Sequence, residues 1–396
     1  SICEDCRREL FDPEDRRFGY PFINCTNCGP RYTIIDDIPY DRPHTSMRRF
    51  PMCADCQTEY DDPADRRFHA QPNACPVCGP RVWLSDEAGR RVEVDDPIQA
   101  AAGRLLAGEI VAVKGLGGFH LAVDPTDEAA VARLRRRKRR EEKPFALMAP
   151  DMETVRRLAA VSDADAELLT SPQRPILLLP RLPDSRVAPS VAPGNRYFGV
   201  MLPYTPLHYL LFSHLSEPTA LVMTSGNLSN EPIAIDNAEA VTRLGGIADA
   251  FLLHDRDILL RSDDSILRPV AGAARAVRRS RGYVPVPVFL DRSLPPVLAV
   301  GAELKNTVCL TRGDQAFLSQ HVGDMETLET FDFFQRTVDH LRRILDVAPE
   351  RVAHDLHPDY LSTGYARVAG LPTVGVQHHH AHIVSCMAEN RIDGPV

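Results

Sequence analysis

The chain has 396 residues, a formal net charge of −8 at pH 7, 44% hydrophobic residues and 25% charged residues. These values are ordinary for a globular protein, and the length predicts two to three domains. The negative charge argues against nonspecific nucleic-acid binding, and no apolar run approaches the roughly 18 residues that a membrane helix needs. We therefore expect a multidomain protein that binds neither nucleic acid nor a membrane.

The first segment contains a repeated cysteine pattern. C-x2-C, an 18-residue spacer and C-x2-C followed by Gly-Pro-Arg occur at Cys3–Arg31 and again at Cys53–Arg81, and only two of the ten cysteines lie elsewhere. In a long chain without a signal peptide, paired thiols indicate a reducing cytoplasm and metal binding rather than disulfides. Four thiolates suit tetrahedral zinc, and glycine after the second pair of each repeat allows the tight turn of a zinc knuckle.

Residues 1–85 are therefore expected to form a small zinc-ribbon-like module that holds two structural zinc ions. The predicted ligands are Cys3, Cys6, Cys25, Cys28, Cys53, Cys56, Cys75 and Cys78. The sequence leaves open whether each repeat builds its own site or the repeats exchange pairs. The alternative is eight ordinary buried cysteines, which this spacing disfavours.

An α/β region follows the polar segment 85–96, which predicts a hairpin or linker with a turn near Gly89. Helices are predicted over residues 97–109 and 127–143, and strands over 110–115, 175–180 and 219–226. The alternation continues to about Leu290 and predicts one α/β domain over residues 97–290.

This middle region has no G-x4-G-K-[ST] phosphate loop, but it carries cations and small polar residues near the ends of predicted strands. The candidates are Lys114, Lys138, Arg140, Lys143, Thr224, Ser225, Asn227 and Arg281. Cations, hydroxyls and exposed amides are the groups that hold a polyphosphate during phosphoryl or adenylyl transfer. The alternatives are a solvated face for the basic helix and an ordinary turn at "TSGN".

A second joint at Pro295 and Pro296 begins the last region, residues 296–396. Two adjacent strands are predicted around a loop at Gly301–Asn306, followed by a helix over 328–345, a strand over 351–356 and a helix from near His378. "HHHAH" puts His378 and His382 four residues apart, on one face of a helix, which is the geometry of a two-histidine metal clamp. The alternative is histidines clustered by chance, and the roles of His379 and His380 stay open.

A family resemblance connects these features. The cysteine pattern, followed by "VKGLGGFHL", "RKRREEKPFALM", "TSGNLSNEPI", "DDSILRPV" and "RRSRGYVP", resembles the HypF family of carbamoyltransferases, which help to build the cyanide ligands of nickel-iron hydrogenases. "VGAELKNTVCL", "SQHVGDMET", "HDLHPDYLST" and "QHHHAH" continue the resemblance, which covers essentially the whole chain. It implies an α/β multidomain protein with a zinc module, a YrdC-like domain and a truncated actin- and sugar-kinase-like (ribonuclease H-like) domain.

The resemblance also implies an activity. Members of this family use ATP and carbamoyl phosphate to form carbamoyl adenylate, and pass the carbamoyl group to the C-terminal cysteine of a partner hydrogenase-maturation protein. By that likeness, ATP with magnesium would be bound by Lys138, Arg140, Thr224, Ser225, Asn227 and Arg281. Lys305 lies in a loop that resembles the first phosphate loop of sugar kinases. His378 and His382 would act in transfer and hold a further metal ion, iron or zinc.

Two departures from the family pattern are expected to matter. The family normally begins with an acylphosphatase-like domain, which we do not expect before Cys3, and the aspartate that normally completes the histidine pair is expected to lie beyond Val396. We therefore expect a cytoplasmic fragment that binds ATP but neither cleaves carbamoyl phosphate nor completes the transfer. The competing classes are an antibiotic-type O-carbamoyltransferase and a non-enzymatic zinc-finger chaperone or adaptor.

Overall fold

The computed structural model of the chain describes residues 1–215, 220–228 and 231–396. Its contacts divide the chain into two compact units, one formed by most of the chain up to Gly282 and one formed mainly by Tyr283–Val396. Within the described part, no helix is both long enough and apolar enough to cross a membrane.

The two cysteine repeats fold in the same way. Helices α1 (Glu4–Phe11) and α2 (Ala54–Asp61) each begin directly after the first cysteine of a repeat. Each repeat then needs one left-handed residue at the same position, which is Gly19 (φ 65°) in the first repeat and His69 (φ 54°) in the second. Glycine adopts this conformation without strain, whereas the second repeat accepts a small cost there.

Most of the first unit is built on a ten-stranded mixed sheet with the order β1-β8-β2-β3-β7-β4-β6-β5-β9-β10. In chain order, its strands β1 to β10 are Val82–Asp86, Val111–Lys114, Phe119–Val123, Ala146–Met148, Ile176–Pro180, Tyr197–Met201, Leu221–Ser225, Ala250–His254, Ile266–Val270 and Ala273–Arg278. β2 and β3 are buried along their whole length, as expected for central strands covered on both faces.

Helices are interspersed with the strands, as the sequence predicts, although β2–β3, β5–β6 and β8–β10 follow one another without an α-helix between them. Helices α3 to α8 are Pro97–Leu106, Glu128–Lys138, Met152–Leu158, Asp163–Thr170, Pro206–Ser213 and Asn237–Leu244. The predicted turn near Gly89 is present, with Gly89 in the left-handed region (φ 79°). The predicted strand 219–226 corresponds to β7, although residue 219 lies outside the described part, as do residues 229 and 230 of "TSGNLSNEPI".

The predicted helix over 127–143 is too long, because α4 ends at Lys138. Arg139 takes a left-handed conformation (φ 52°) and caps the helix. The buried guanidinium of Arg135 donates to the carbonyls of Arg140 (2.9 Å) and Glu141 (3.1 Å), and so holds the next residues in a loop. The basic residues after Lys138 therefore lie in a loop and not on the helix.

The second unit contains a five-stranded sheet with the order β11-β13-β12-β14-β15. Strands β11 to β15 are Val288–Leu294, Val297–Ala299, Cys309–Leu318, Arg351–Asp355 and Thr373–Val376, and helices α9 to α11 are Leu328–Leu345, Leu361–Val368 and His378–Asn390. β12 pairs antiparallel with β13 and parallel with β14. The predicted strand pair, long helix and histidine helix are confirmed.

Candidate functional site

The eight paired cysteines form two compact groups, and within each group the sulfur atoms lie within 4.8 Å of one another. The first site is Cys3, Cys6, Cys25 and Cys28, and the second site is Cys53, Cys56, Cys75 and Cys78. In the described part of the chain, these are the groups of three or more side chains that could hold a metal ion. Each repeat therefore supplies all four ligands of its own site, which answers the pairing question.

The sulfur spacing fits zinc. In the first site, the Cys3 and Cys25 sulfurs are 3.7 Å apart and the Cys25 and Cys28 sulfurs are 3.9 Å apart. The corresponding contacts in the second site are 3.7 and 3.8 Å. A tetrahedron with Zn–S bonds of about 2.3 Å separates its sulfurs by about 3.8 Å. Both sites thus fit a zinc ion, which would supply folding energy rather than reactivity.

Lys138 brings the end of α4 to the turn after β7. Its ammonium donates to the carbonyl of Ser225 (2.6 Å), to Oδ1 of Asn227 (2.7 Å) and to the carbonyl of Asn227. The hydroxyl of Ser225 donates to the same Oδ1 (2.7 Å). Burial, followed by the charge of Arg140, holds the pKa of Lys138 well below its ordinary value. These contacts make Lys138 a residue that holds the "TSGN" turn in shape.

Arg140 lies in the loop after α4 and also reaches β7. Its guanidinium donates to the carbonyls of Lys143 (3.0 Å) and Pro144 (2.6 Å), and its Nη1 lies 3.4 Å from Oγ1 of Thr224. Burial, followed by the charge of Arg135, lowers the pKa of Arg140 to about 10. The side chain of Lys143 is exposed on this loop, and its charge contributes to the lowered pKa of Lys138.

Five of the predicted nucleotide-binding residues therefore meet at the end of β7, and Lys143 lies beside them. The five are Lys138, Arg140, Thr224, Ser225 and Asn227. Asp263, which the sequence reasoning missed, lies near this group, since its charge acts on Lys138 and Arg140. Positive charge held close to small hydroxyl and amide groups can bind an anion such as a polyphosphate.

Arg281 lies in a separate buried cluster. Its Nε donates to Oδ1 of Asp264 (2.6 Å), and its guanidinium stacks 3.5 Å from the centre of the Tyr204 ring. Two backbone carbonyls just before β5 accept from its other nitrogens at 2.9 and 2.8 Å. His120 Nε2 lies 2.9 Å from the other Asp264 oxygen. Burial alone would raise the pKa of Asp264, but Arg281 and His120 hold it well below its usual range.

Lys114, at the end of β2, lines a cavity of about 30 Å³. Its ammonium donates to the carbonyl of His254 (3.1 Å), and burial lowers its pKa to about 8. The cavity is also lined by Arg256, whose buried guanidinium stacks 4.9 Å from the centre of the Phe22 ring. Lys114 therefore belongs to this cavity.

In the second unit, Lys305 lies at the tip of the predicted phosphate-like loop. It has a left-handed backbone (φ 50°), its amide donates to Oδ1 of Asp324 (2.7 Å), and its side chain is exposed. The buried Nδ2 of Asn306 donates to the carbonyls of Val300 (2.9 Å) and Ala302 (2.6 Å). The loop is therefore held from within, and it leaves the Lys305 ammonium facing solvent.

The histidine pair lies at the start of α11, as predicted. The Nε2 atoms of His378 and His382 are 3.1 Å apart, and His378 Nδ1 lies 2.6 Å from Oδ2 of Asp355 at the end of β14. A carboxylate on the far ring nitrogen is the usual way to orient a metal-binding histidine. The two nitrogens fit part of a metal site, and the described residues add no third ligand to them. The sequence reasoning missed Asp355, which lies 23 positions before His378.

Three family matches cover most of the chain. The HypF finger family matches residues 2–35 and 52–85, the telomere recombination family matches residues 104–280, and the HypF Kae1-like domain matches residues 292–389.

Curated relatives match along the whole chain. It is 54% identical to carbamoyltransferase HypF2 of Cupriavidus necator, over 100% of this chain and 51% of that protein. It is 42% identical to a probable carbamoyltransferase HypF of Methanocaldococcus jannaschii, over 98% of this chain and 51% of that protein. The chain thus spans about half the length of the curated relatives it matches.

Solved structures match as well. A full-length HypF in a phosphate- and nucleotide-bound form superposes with a TM-score of 0.95 at 52% identity, over 100% of this chain and 52% of that one. HypF of T. kodakarensis superposes with a TM-score of 0.95 at 46% identity, over 99% of this chain and 52% of that one.

Proposed function

This chain belongs to the HypF family of carbamoyltransferases, and from that membership we propose that it carries the site at which a carbamoyl group is joined to AMP during nickel-iron hydrogenase maturation. The observation that supports this most directly is the meeting of Lys138, Arg140, Thr224, Ser225 and Asn227 at the end of β7. The phosphate- and nucleotide-bound HypF structure, to which the chain is similar over its whole length, favours a nucleotide as the anion, and we propose that this nucleotide is ATP.

The proposed reaction begins with carbamate and ATP. A carbamate oxygen attacks the α-phosphorus, the bond from that phosphorus to the bridging oxygen breaks, and pyrophosphate leaves with the electron pair. This step places extra negative charge on the phosphoryl oxygens, which Arg140 can stabilise through charge-assisted hydrogen bonds. Lys138 acts indirectly by holding the "TSGN" turn, whose hydroxyl groups and amides then face the nucleotide. Magnesium bound with ATP would neutralise part of the phosphate charge.

Carbamoyl adenylate is a mixed anhydride that water destroys, so a buried site suits its formation. Lys138 is 1% exposed and Thr224 is 4% exposed. We propose that the acceptor of the carbamoyl group is the C-terminal cysteine thiolate of a partner maturation protein. The thiolate attacks the carbonyl carbon, and AMP leaves.

The second unit is proposed to serve the transfer step. Lys305 lies on its phosphate-like loop, and His378 and His382 present two nitrogens that could hold a metal ion. Such an ion would polarise an oxygen of the substrate. Asp355 keeps the His378 ring in one orientation. The division into a zinc module (1–85), an adenylation domain (97–290) and a transfer domain (296–396), and a location in the cytoplasm, are parts of this proposal.

Isotope exchange tests the adenylation step by itself. Carbamate can be supplied by ammonium bicarbonate, so no phosphatase activity is needed. This 396-residue chain should move labelled pyrophosphate into ATP only when ammonium and bicarbonate are both present. Arg140→Ala removes a charge-assisted contact worth roughly 1.5–3 kcal/mol, so exchange should fall about tenfold or more.

Arg136→Ala is the matched control, since Arg136 is exposed on α4 and carries the same charge. It should keep the wild-type rate. An equal loss of exchange rate in both variants would show that the effect comes from the overall charge and not from the position of Arg140. If the wild-type chain shows no carbamate-dependent exchange, a non-enzymatic zinc-finger adaptor is favoured.

A further inference from the structure

Each cysteine repeat places an arginine against the metal site of the other repeat. Arg16, which belongs to the first repeat, contacts the second site: its Nη2 lies 2.8 Å from the sulfur of Cys56. Its Nε lies 3.2 Å from Glu59, and its Nη1 lies 3.3 Å from Asp55. All three partners belong to α2 or the cysteine pair that begins it. The first repeat therefore contributes a cation to a metal site whose ligands all come from the second.

The equivalent arginine of the second repeat contacts the first site. Arg66, fifty positions after Arg16, lies with its guanidinium nitrogens 3.8 and 3.9 Å from the sulfur of Cys6 in the first site. It also contacts Glu9 and, at 3.7 Å, Asp5. The partners of Arg66 are thus the residues equivalent to the partners of Arg16. Because the two sets of contacts match, contact with the opposite metal site is a property of both repeats and not of one loop.

A second pair of arginines crosses at the same place and is more deeply buried. Arg17 forms an ion pair with Glu59, and Arg67 forms one with Glu9; the two arginine side chains are 1% and 7% exposed. The Nε atom of each arginine also donates to a backbone carbonyl of the other repeat, at 2.9 Å for Arg17 and 3.2 Å for Arg67. In both cases the carbonyl belongs to the residue that precedes the third cysteine of that repeat. Each glutamate thus receives two arginines from the opposite repeat.

The local sequence explains why the arginines point across. Both repeats contain Asp-Pro-x-Asp-Arg-Arg after the first helix. The carboxylate of Asp15 accepts from the amide of Arg17 at 2.7 Å, and Asp65 accepts from the amide of Arg67 at 2.7 Å. These short turns are closed within each repeat, so the long arginine side chains are free to leave it.

We propose that each repeat completes the zinc site of the other: Arg16 and Arg66 are positioning residues that neutralise and orient the thiolates of the opposite repeat. Four thiolates around Zn²⁺ carry two excess negative charges, and arginine donors near sulfur stabilise that charge. Groups of this kind typically contribute 10- to 100-fold to metal affinity. The inference depends on zinc at the cysteines and is independent of the carbamoyl chemistry proposed above.

The test asks which site loses metal when one arginine is changed. The zinc-loaded 396-residue chain is incubated with a chelator and N-ethylmaleimide, and modified cysteines are mapped by mass spectrometry. Arg16→Gln should speed modification of the second-site cysteines about tenfold or more, and should leave the first site within about twofold of wild type. Arg66→Gln should do the reverse. Arg8→Gln, an exposed change in the same module, should alter neither site.

An arginine that merely stabilises its own repeat would expose its own site first, and that result would overturn the proposal. Equal release from both sites, or wild-type release from the opposite site, would overturn it as well. If a glutamine variant does not fold, Arg16→Lys keeps the charge but cannot span the three partners of Arg16. Its zinc release should still be faster at the second site alone, and wild-type release there would count against the proposal. With cobalt in place of zinc, the same variants should shift the thiolate-to-cobalt absorption band of the opposite site.

Discussion

The arginines of the cysteine repeats and the cations between α4 and β7 are both withdrawn from water, but their surroundings differ in charge. Burial would lower the pKa of Arg17, yet Glu59 raises it above its ordinary value. Burial lowers the pKa of Arg140 to about 10, and the oxygens that accept its hydrogen bonds are carbonyls and a hydroxyl. The first group is neutralised within the fold. In the second group, Arg140 retains its positive charge at neutral pH, which is what an anionic ligand requires.

The largest effect should come from removing one ligand of a complete site. Cys25→Ser takes away a fully buried sulfur of the first site. Structural zinc contributes roughly 10–16 kcal/mol to small metal modules, so a loss of several kcal/mol of stability is expected. Metal analysis should find two zinc ions in the wild type and one or fewer in the variant. Cys386→Ser, at an exposed position on α11, should keep both ions. A Cys25→Ser chain with two tightly bound ions would contradict the assignment.

A smaller loss of stability should follow from removing a carboxylate that neutralises a buried arginine of the opposite repeat. Glu59→Gln leaves Arg17 buried without its carboxylate. Removing one partner of a buried ion pair costs about 3–5 kcal/mol, and denaturant unfolding should report that loss in the zinc-loaded chain. Glu14→Gln, an exposed change in the same repeat, should be nearly neutral. A neutral Glu59→Gln would mean that Arg17 is better solvated than its burial indicates.

Replacing Lys114 should raise the stability of the chain, because its buried charge destabilises the folded state. Its pKa falls from 10.5 to about 8 through burial. Below about pH 8, both the folded and the unfolded chain carry the charge; between about pH 8 and 10.5, only the unfolded chain does, so wild-type stability gains with rising pH. Lys114→Met should therefore be more stable than wild type by about 3 kcal/mol at pH 7.

That advantage should shrink as the pH rises from 8 to 10. Thermal unfolding of both chains across this range measures it. Arg136→Met, at an exposed position, should show no such trend. A constant advantage, or a less stable Lys114→Met at pH 7, would show that the ammonium is compensated in the folded chain.

The smallest change in stability should come from the exposed histidine pair. His378 is about half exposed, so loss of its contact with Asp355 should cost about 1 kcal/mol or less. Asp355→Asn should nevertheless weaken cobalt or zinc binding at the pair about 10- to 100-fold, because the ring loses the carboxylate that orients it. Titration with the cysteine sites already filled isolates this binding. Asp359→Asn is the nearby control, and equal weakening there would remove the special role of Asp355.

Features set by short-range spacing could be predicted from the sequence. The cysteine ligands follow from two-residue gaps, and the histidine pair follows from helical spacing. Lys138 on the predicted basic helix and Thr224 at a predicted strand end are both candidates for one nucleotide site, and the structure brings them to the same turn.

Features that depend on the fold could not be predicted. Asp355 and His378 are separated by α10 and β15, and no spacing rule connects them. The crossing of Arg16 to Cys56 depends on how two repeats pack. The end of α4 depends on Arg135, whose guanidinium captures the carbonyls that would have continued the helix. The nucleotide role of Arg281 stays a prediction, since its side chain lies with Asp264 and His120.

A crystal structure of this 396-residue chain with ATP or a non-hydrolysable analogue tests the central claim most directly. The account predicts phosphate oxygens within hydrogen-bond distance of Arg140 and of the Ser225–Asn227 turn. A nucleotide bound in the cavity lined by Lys114 and Arg256, or one that leaves Arg140 on its present carbonyl partners, would contradict it.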